Sequence, residues 1–276
     1  MTILPRLALA LLLMTFAFKV EAAETASFAG DGIELRAVMY RPEGVGPFPA
    51  VVALHGCGGL YDRDASLNAR HADWGQRLAS EGFLVLFPDS FGSRGAGSQC
   101  ATTNRVARAS TERVADALAA KAFLQSRPDV KPDALSLLGW SNGGSTILYA
   151  VNAGAEARDG KPDFARAVAF YPGCRVPAER GSWRTRLPLL ILIGAADDWT
   201  AAAPCDDLAK QSAAAGSQVS IVFYPGAYHD FDHPSLPLRT RSGLADTADR
   251  SGTAHVGTDP VAREDALRRV PLFLAH

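Results

Sequence analysis

Short apolar runs alternate along the chain with segments whose apolar residues recur at helical spacing. Residues 50–54 and 83–87 are uniformly apolar, which is typical of strands that are covered on both faces of a sheet. The pattern as a whole predicts strands over residues 33–40, 50–54, 83–87, 134–138, 165–171, 187–193 and 219–224.

Predicted helices fill the intervals between these strands. Val106, Val114 and Leu118, for example, recur at helical spacing. Helices are predicted over residues 68–80, 103–126, 145–151, 204–215 and 260–274. Repeated strand–helix–strand units predict an α/β fold of the α/β-hydrolase type, with a mostly parallel central sheet and helices on both faces, in a single domain over residues 23–276. Residues 239–259 are rich in Ser, Thr, Gly and Asp, and we expect them to form a loop near the functional site.

The composition is ordinary for a globular protein with a sizeable core. The chain has 276 residues, of which 47% are hydrophobic and 21% are charged. Its net charge is −1 at pH 7, so nothing in the charge balance indicates a nucleic-acid partner or an anionic membrane surface. The pattern leaves the oligomeric state open.

The N-terminus has the pattern of a secretory signal. Arg6 supplies a short basic region, residues 7–18 are almost wholly apolar, and Val20-Glu21-Ala22 places small residues where a signal peptidase reads. We predict a signal peptide over residues 1–22 and a periplasmic or secreted protein. An uncleaved membrane anchor is the alternative, but the apolar run is short for a bilayer span. No later segment is long and apolar enough to cross a membrane, so we expect no stable membrane span after cleavage.

The run Gly139-Trp140-Ser141-Asn142-Gly143 matches the pattern of a nucleophile elbow. A predicted strand precedes it and a predicted helix follows it, which is the context that such an elbow needs. Small residues two positions before and after the serine let the backbone take a strained turn without clashing with its neighbours. Ser141 is therefore the candidate nucleophile, and a structural turn with an ordinary serine is the alternative.

A catalytic serine needs a general base, and the base needs an anion that fixes its tautomer. In hydrolases with this elbow the order along the chain is serine, acid, histidine. The acid is expected just after the predicted strand over residues 187–193, where Asp197 and Asp198 compete. The spacing of Asp197 from Gly194 favours Asp197, whereas Asp198 could instead hydrogen bond at the start of the next helix.

The base is expected after the last predicted strand, in the run Tyr224-Pro225-Gly226-Ala227-Tyr228-His229. His229 follows that strand directly, and Gly226 permits the sharp turn before it. His233 and His255, which lie later in the chain, after the last predicted strand, remain as alternatives.

Acyl transfer also needs backbone N–H groups that point at the developing oxyanion. One is expected from Asn142, the residue after the nucleophile. The other is expected from the glycine-rich run His55-Gly56-Cys57-Gly58-Gly59, through the N–H of Cys57. A glycine-rich turn without a catalytic role is the alternative for this run.

Together these motifs resemble the dienelactone hydrolase family of α/β-hydrolases. The resemblance covers residues 30–275 and rests on His55-Gly56-Cys57-Gly58-Gly59, Pro88-Asp89-Ser90-Phe91, Gly139-Trp140-Ser141-Asn142-Gly143-Gly144, residues 194–200, and Tyr224-Pro225-Gly226-Ala227 leading to His229. It implies an eight-stranded hydrolase sheet and no cofactor. It also implies hydrolysis of a small-molecule ester or lactone through an acyl-enzyme, with a triad of Ser141, Asp197 and His229.

The sequence departs from the family pattern in two places. Well-known members have a cysteine nucleophile where this chain has Ser141, and they carry a glutamate in the loop where this chain reads His55-Gly56. Their thiol activation and lactone preference are therefore not carried over. Arg94, which follows the strand that ends at residues 88–89, could bind a substrate carboxylate, or it could be a solvated loop arginine.

The four cysteines form an even set, which fits an oxidising compartment. None of them has CxxC spacing, and the chain has no cluster of metal-ligating residues, so no metal is expected. In the sheet that the resemblance implies, neighbouring strands precede Cys57 and Cys100, and another neighbouring pair precedes Cys174 and Cys205. The implied disulfides are Cys57–Cys100 and Cys174–Cys205.

The sequence predicts an exported carboxylic ester or lactone hydrolase with Ser141 as its nucleophile. A peptidase or polyester hydrolase on the same fold is one alternative. A non-catalytic binding protein on a hydrolase scaffold is another, because a fold does not fix a function.

Overall fold

The protein is described here by a computed structural model that covers residues 23–154 and 160–276. The predicted signal peptide, residues 1–22, lies outside the described residues. The described strands are β1 (Glu24–Ala29), β2 (Glu34–Tyr40), β3 (Phe48–Leu54), β4 (Leu84–Pro88), β5 (Val130–Trp140), β6 (Arg166–Phe170), β7 (Leu189–Gly194), β8 (Val219–Tyr224), β9 (Arg239–Ser242) and β10 (Thr253–Val256). The described helices are α1 (Ala69–Ser80), α2 (Glu112–Gln125), α3 (Asn142–Ala150), α4 (Arg175–Glu179), α5 (Ala203–Ala214) and α6 (Pro260–Ala275).

Eight strands form one central sheet in the order β1-β2-β4-β3-β5-β6-β7-β8. The pairings β1–β2 and β2–β4 are antiparallel, and all others in this sheet are parallel. The predicted α/β fold with a mostly parallel sheet is therefore confirmed. Strands β4 and β7 are buried along their whole length, as expected of parallel strands that are covered on both faces.

The helix predicted over residues 103–126 is wrong at its start. α2 begins at Glu112, and residues 103–111 contain only turns and bends. Val106 matches helical spacing by coincidence, because its side chain is 44% exposed. Its N–H donates to the side-chain oxygen of Gln99 at 3.2 Å, so a local hydrogen bond holds a loop conformation there.

Residues 239–259 contain a two-stranded sheet that the sequence pattern did not predict. β9 and β10 pair in antiparallel register, with Arg239 opposite Val256. Val256 also forms a bridge with His229, and the Gly257 N–H donates to the His229 carbonyl oxygen at 2.9 Å. The segment thus lies beside the predicted base, as expected, but as an ordered hairpin.

Both predicted disulfides are confirmed. Cys57–Cys100 links the loop after β3 to the loop after β4, and Cys174–Cys205 links the loop after β6 to α5, which follows β7. The strand neighbours on which the prediction rested, β3 beside β4 and β6 beside β7, are also present. Among the described helices, none combines the length and the apolar character that a membrane span requires.

Candidate active site

The three predicted triad residues follow three parallel strands of the central sheet. Ser141 follows β5, Asp197 lies just beyond β7, and His229 lies beyond β8. Parallel strands point their carboxyl ends to the same edge of the sheet, where ligands bind in open α/β sheets. The topology therefore places these residues at one edge although 88 positions separate the first from the last (229 − 141).

Ser141 sits at a sharp turn between β5 and α3. Its backbone has φ 52° and ψ −113°, and its side chain does not cap the helix that it precedes. The glycines of the motif are required by close approach. A Cβ at Gly139 would lie 2.7 Å from the backbone of Gly143, and a Cβ at Gly143 would lie 2.0 Å from the Leu54 carbonyl oxygen. The turn is therefore packed tightly against β3 and α3, as a nucleophile elbow requires.

Asp197 and His229 form a buried hydrogen-bonded pair. Oδ2 of Asp197 lies 2.8 Å from Nδ1 of His229, and both side chains are almost wholly buried. The other oxygen of Asp197 accepts the N–H groups of Trp199 and Thr200, each at 2.9 Å. The carboxylate is thus fixed, and it can hold a proton on Nδ1 so that Nε2 is free to act as a base.

The second nitrogen of His229 is buried and has no hydrogen-bond partner among the described residues. The imidazole packs against two aromatic rings, with ring-centroid distances of 4.4 Å to Tyr171 and 4.7 Å to Trp199. Ser141 and His229 line the same cavity. The arrangement therefore leaves one ring nitrogen of His229 unpaired, in a residue that shares a cavity with Ser141.

The alternatives to these residues have other partners. Asp198 accepts the His255 N–H at 2.8 Å and lies 2.7 Å from its Nδ1, and both side chains are about two-fifths exposed. Nδ1 of His233 accepts the Ser235 N–H. Of the two carboxylates left open by the sequence, Asp197 is therefore the one that meets His229.

Electrostatics separate His229 from the other buried histidines. Burial opposes a charged imidazole at His229, but the neighbouring Asp197 carboxylate outweighs it, and the pKa of His229 lies above its ordinary value. Burial lowers the pKa of His71 to about 3 and holds the pKa of His55 well below its ordinary value. His229 is thus the one of these three that can take up a proton near neutral pH.

The two predicted oxyanion donors lie on segments that flank Ser141. Neither the Cys57 N–H nor the Asn142 N–H donates a hydrogen bond to the described part of the chain. A Cβ at Gly56 would lie 3.6 Å from Cβ of Ser141, so the glycine-rich loop passes directly beside the nucleophile. Two unused N–H groups on segments that flank the same serine fit an oxyanion hole.

Arg113 ties these two segments together, and the sequence reasoning missed it. Its guanidinium is fully buried and donates to Oδ1 of Asn142 at 2.6 Å and to the His55 carbonyl oxygen at 2.7 Å. It also stacks over the Phe91 ring at 5.1 Å. One sequence feature could have indicated it: Arg113 is at helical spacing from Ala117 and Leu124, which are buried on one face of α2.

Asp232, three residues after His229, was also missed. Its carboxylate is wholly buried and accepts the indole N–H groups of Trp74 and Trp140 at 2.8 Å and 2.7 Å. It also accepts the Tyr171 hydroxyl at 2.6 Å, and it lies 3.4 Å from Nε of Arg70. The loop that carries His229 is therefore anchored to α1, β5 and the end of β6. Nothing in the local sequence around Asp232 signals these distant donors.

Arg94 does not reach the cavity of Ser141 and His229. Its guanidinium forms a double hydrogen bond with the buried Asp116 carboxylate, at 2.8 Å and 2.9 Å, and it donates to the Ser90 carbonyl oxygen. It is not among the residues that line this cavity. A guanidinium so engaged holds α2 to the loop after β4, and substrate binding by Arg94 remains a prediction without structural support.

Two cavities meet at Ser141. The larger, about 1010 Å³, is also lined by His229, and the smaller, about 370 Å³, is also lined by Asn142. Cys57 and Trp199 line both. In the described residues no group of His, Cys, Asp and Glu side chains is arranged to hold a metal ion. The site therefore offers a serine, a histidine–carboxylate pair and two N–H donors between two binding spaces.

Comparison with protein families gives one match over most of the chain. The model of the family described as "Dienelactone hydrolase family" matches residues 35–276. No curated protein matches the sequence.

Solved structures share the architecture at low sequence identity. A Klebsiella pneumoniae protein classed as a dienelactone hydrolase has a TM-score of 0.68 at 20% identity, covering 92% of this chain and 98% of that chain. Esterase 2 of Thermogutta terrifontis, phosphoramylated by tabun, has a TM-score of 0.66 at 19% identity, covering 95% and 97%. Dipeptidyl peptidase 4 of Porphyromonas gingivalis has a TM-score of 0.65 at 18% identity, covering 93% of this chain but 36% of that chain. Esterases and peptidases thus share this fold.

Proposed function

The chain belongs to the dienelactone hydrolase family, and from this premise we propose that it is an exported serine hydrolase that cleaves carboxylic esters or lactones through an acyl-enzyme on Ser141. Family membership supports the class of carboxylic ester hydrolases. The observation that carries the mechanism is the buried pair of His229 and Asp197, at 2.8 Å, in which Nε2 of His229 has no partner among the described residues and His229 lines the same cavity as Ser141.

In the proposed first step, Oγ of Ser141 attacks the carbonyl carbon of the ester and its proton passes to Nε2 of His229. The carbonyl oxygen becomes an oxyanion, which accepts hydrogen bonds from the N–H groups of Cys57 and Asn142. Asp197 stabilises the imidazolium that forms and keeps its orientation. The intermediate collapses when the bond to the alcohol oxygen breaks and Nε2 returns the proton to that oxygen.

In the proposed second step, a water molecule attacks the acyl-enzyme. Its proton passes to Nε2 of His229, and the same two N–H groups hold the second oxyanion. The bond to Oγ of Ser141 then breaks, the proton returns to Oγ, and the carboxylic acid leaves. The proposed chemistry needs no electron transfer and consumes one water for each ester bond.

The decisive experiment pairs turnover with active-site labelling. The parent protein should hydrolyse p-nitrophenyl acetate and should be labelled at Ser141 by a fluorophosphonate probe. Ser141→Ala should lower turnover by several orders of magnitude, about 10⁴-fold or more, and should abolish labelling. Ser220→Ala, a change at an exposed position of β8 that lines neither cavity, is the matched control and should keep both.

Three outcomes would favour the alternatives. Faster cleavage of amides than of matched esters would favour a peptidase, and release of soluble products from an insoluble polyester would favour a polymer hydrolase. An unlabelled, inactive but folded parent protein would favour a binding protein on a hydrolase scaffold.

Export is part of the proposal. Its support is the signal-like pattern of residues 1–22 together with two disulfides, which persist in oxidising compartments. N-terminal sequencing of the protein that is recovered outside the cytoplasm should give Ala23 as the first residue. A mature protein that still begins at Met1 would refute signal cleavage.

A further inference from the structure

The two cavities that meet at Ser141 differ in chemistry. We propose that the smaller one binds the apolar acyl part of the ester and the larger one binds a polar, hydroxyl-bearing alcohol part. The preferred substrate class is thus an ester of an apolar carboxylic acid with a polyol or similarly polar alcohol. This inference rests on the proposed function, because it assigns the two halves of the ester around the same serine.

The position of His229 decides which cavity receives which half. In the proposed mechanism His229 returns its proton to the leaving alcohol oxygen, so that oxygen must lie beside Nε2. His229 lines the larger cavity and is not among the residues that line the smaller one. The alcohol therefore departs through the larger cavity, and the acyl group, which stays bonded to Ser141, occupies the smaller one.

The smaller cavity, hereafter the acyl cavity, has a largely apolar wall. The apolar part of this wall includes six small or apolar side chains, and its charged members are Arg105, Arg175 and Asp246; the six are Ala109, Val176, Ala201, Pro204, Ala245 and Ala248. Its volume of about 370 Å³ lies at the lower end of the range for small-molecule sites. An acyl chain that enters it would lose contact with water, which favours binding by about fourfold for each buried methylene group.

The acyl cavity is also braced by covalent and ionic links. Cys57 and Cys174, one from each disulfide, both line it. At its rim Arg105 and Asp246 form an ion pair at 3.1 Å, which joins the loop after β4 to the segment between β9 and β10. Walls held in this way are expected to discriminate between acyl chains by size, because they cannot easily move apart.

The larger cavity, hereafter the alcohol cavity, presents polar and charged groups. Arg63, Arg239 and Arg241 line it, and among the described residues none of the three forms an ion pair. Arg241 lies over the Trp199 ring at 5.3 Å, and both residues line this cavity together with Ser141. Asp62 lines the same cavity and could accept a hydroxyl proton in a hydrogen bond. Donors and acceptors of this kind suit the oxygens of a polar alcohol and disfavour an alkyl chain.

The direct test compares two isomeric esters that contain the same groups in opposite order. Glycerol 1-hexanoate has the apolar acyl part and the polar alcohol part, and hexyl glycerate has the reverse. We expect kcat/KM for glycerol 1-hexanoate to be about tenfold or more above that for hexyl glycerate. Equal values or a preference for hexyl glycerate would overturn the assignment.

Two variants test the acyl cavity separately. Ala201→Phe and Ala245→Phe place a ring into it from different segments of the chain, and both positions are half-buried. Each should lower kcat/KM for p-nitrophenyl hexanoate about tenfold while changing the value for p-nitrophenyl acetate less than about threefold. Ala214→Phe, at an exposed position of α5, is the matched control and should leave the ratio of the two substrates unchanged.

Failure of this inference is distinguishable from failure of the proposed function. If p-nitrophenyl acetate is hydrolysed and Ser141 is labelled, but the isomeric esters are cleaved equally well, the proposed function holds and the assignment of the two cavities is wrong. If Ser141 is not labelled and no ester is cleaved, the proposed function itself is wrong.

Discussion

At the scale of single residues, Ser141 is positioned by hydrogen bonds of its backbone, whereas His229 is positioned by contacts of its side chain. Ser141 is held by its backbone: its N–H donates to the Phe170 carbonyl oxygen at 2.9 Å, and its carbonyl oxygen accepts the Ser145 N–H at 2.7 Å. These bonds sustain a conformation with positive φ that non-glycine residues rarely adopt. His229 is held by its side chain, between two rings and a carboxylate, so its protonation depends on those neighbours.

The raised pKa of His229 predicts the pH dependence of activity. Below that pKa the imidazole is protonated and cannot accept the Ser141 proton, so kcat/KM should fall as the pH decreases. The midpoint of this fall should lie above about 6.5, the ordinary value for histidine. A pH profile measured with p-nitrophenyl acetate checks the prediction.

Asp197→Asn is the variant that identifies the cause of this pKa. Without the carboxylate, burial is the largest remaining influence on the pKa of His229 and disfavours the charged ring, so the midpoint should move to lower pH while turnover falls by about 10³-fold or more. Asp198→Asn is the matched control and should leave the midpoint unchanged, because Asp198 pairs with His255. An unchanged midpoint in Asp197→Asn would show that another group titrates.

Arg113 should affect catalysis without binding substrate. It joins the Asn142 side chain to the His55 carbonyl oxygen, so its loss lets the two segments that carry the proposed oxyanion donors move apart. We expect Arg113→Met to lower kcat by about tenfold to a hundredfold with little change in KM, since the hole acts mainly in the transition state.

Two further variants separate positioning by Arg113 from a general effect on folding. Arg113→Lys keeps the charge and one donor group and should restore part of kcat. Arg108 lies just before α2, is exposed and is paired with Glu112. Arg108→Met should change neither kcat nor KM. A folded Arg113→Met enzyme with parental kcat would contradict the positioning role.

At the scale of elements, the loop after β8 depends on one carboxylate. Asp232 receives hydrogen bonds from Trp74 in α1, Trp140 in β5 and Tyr171 after β6, so it holds the His229 loop against three separate parts of the chain. Each donor would be buried without a partner if the carboxylate were removed, and buried unpaired donors are costly. The loop is therefore rigid because distant elements converge on it.

Substitution of Asp232 should destabilise the fold in a graded way. Asp232→Ala leaves two indole N–H groups and the Tyr171 hydroxyl unpaired, and we expect it to lower the free energy of unfolding by about 3 kcal/mol or more. Asp232→Asn keeps an acceptor for the indoles and should cost about half as much. Urea unfolding measures both, with the exposed Asp207→Asn as control. Equal stability of the parent and Asp232→Ala would show that the network contributes little.

At the scale of the whole molecule, the order of the strands brings the site together and the disulfides brace it. Strands β5, β6, β7 and β8 are neighbours in sequence order, so their carboxyl ends deliver Ser141, Asp197 and His229 to one edge. The disulfides Cys57–Cys100 and Cys174–Cys205 join segments that follow neighbouring strands, across sequence separations of 43 and 31 residues. They thus constrain the unfolded chain as well as the walls of the acyl cavity.

Loss of either disulfide should lower the stability of the whole domain. Closing loops of these lengths is expected to contribute about 3–4 kcal/mol for each bond. The double variants Cys57→Ala/Cys100→Ala and Cys174→Ala/Cys205→Ala should therefore unfold at lower Tm than the parent. Mass spectrometry confirms that the remaining bond is intact. An unchanged Tm in both variants would show that the folded state gains nothing from the bonds.

Local signals in the chain were enough for most of the elements of the main sheet and for the choice of two candidate catalytic residues, Ser141 and His229. The buried strands are continuous apolar runs, and the elbow of Ser141 needs glycines that follow a strand and precede a helix, so both features can be read within a short window. His229 follows the last strand of the main sheet in the order that the family pattern gives. Where the helical spacing depended on a single apolar residue that proved to be exposed, Val106, the predicted start of the helix was wrong.

What the sequence by itself determined is therefore the α/β class, the elbow, the order of Ser141 and His229, and, through the resemblance, the cysteine pairing. Only the tertiary structure showed which of Asp197 and Asp198 contacts His229, revealed the contacts of Arg113 and Asp232, and showed two cavities at Ser141. These features depend on side chains that are far apart along the chain and meet only when the sheet has formed. A hydrogen bond between such positions leaves no periodic trace in the sequence, because its geometry is set by how the elements pack.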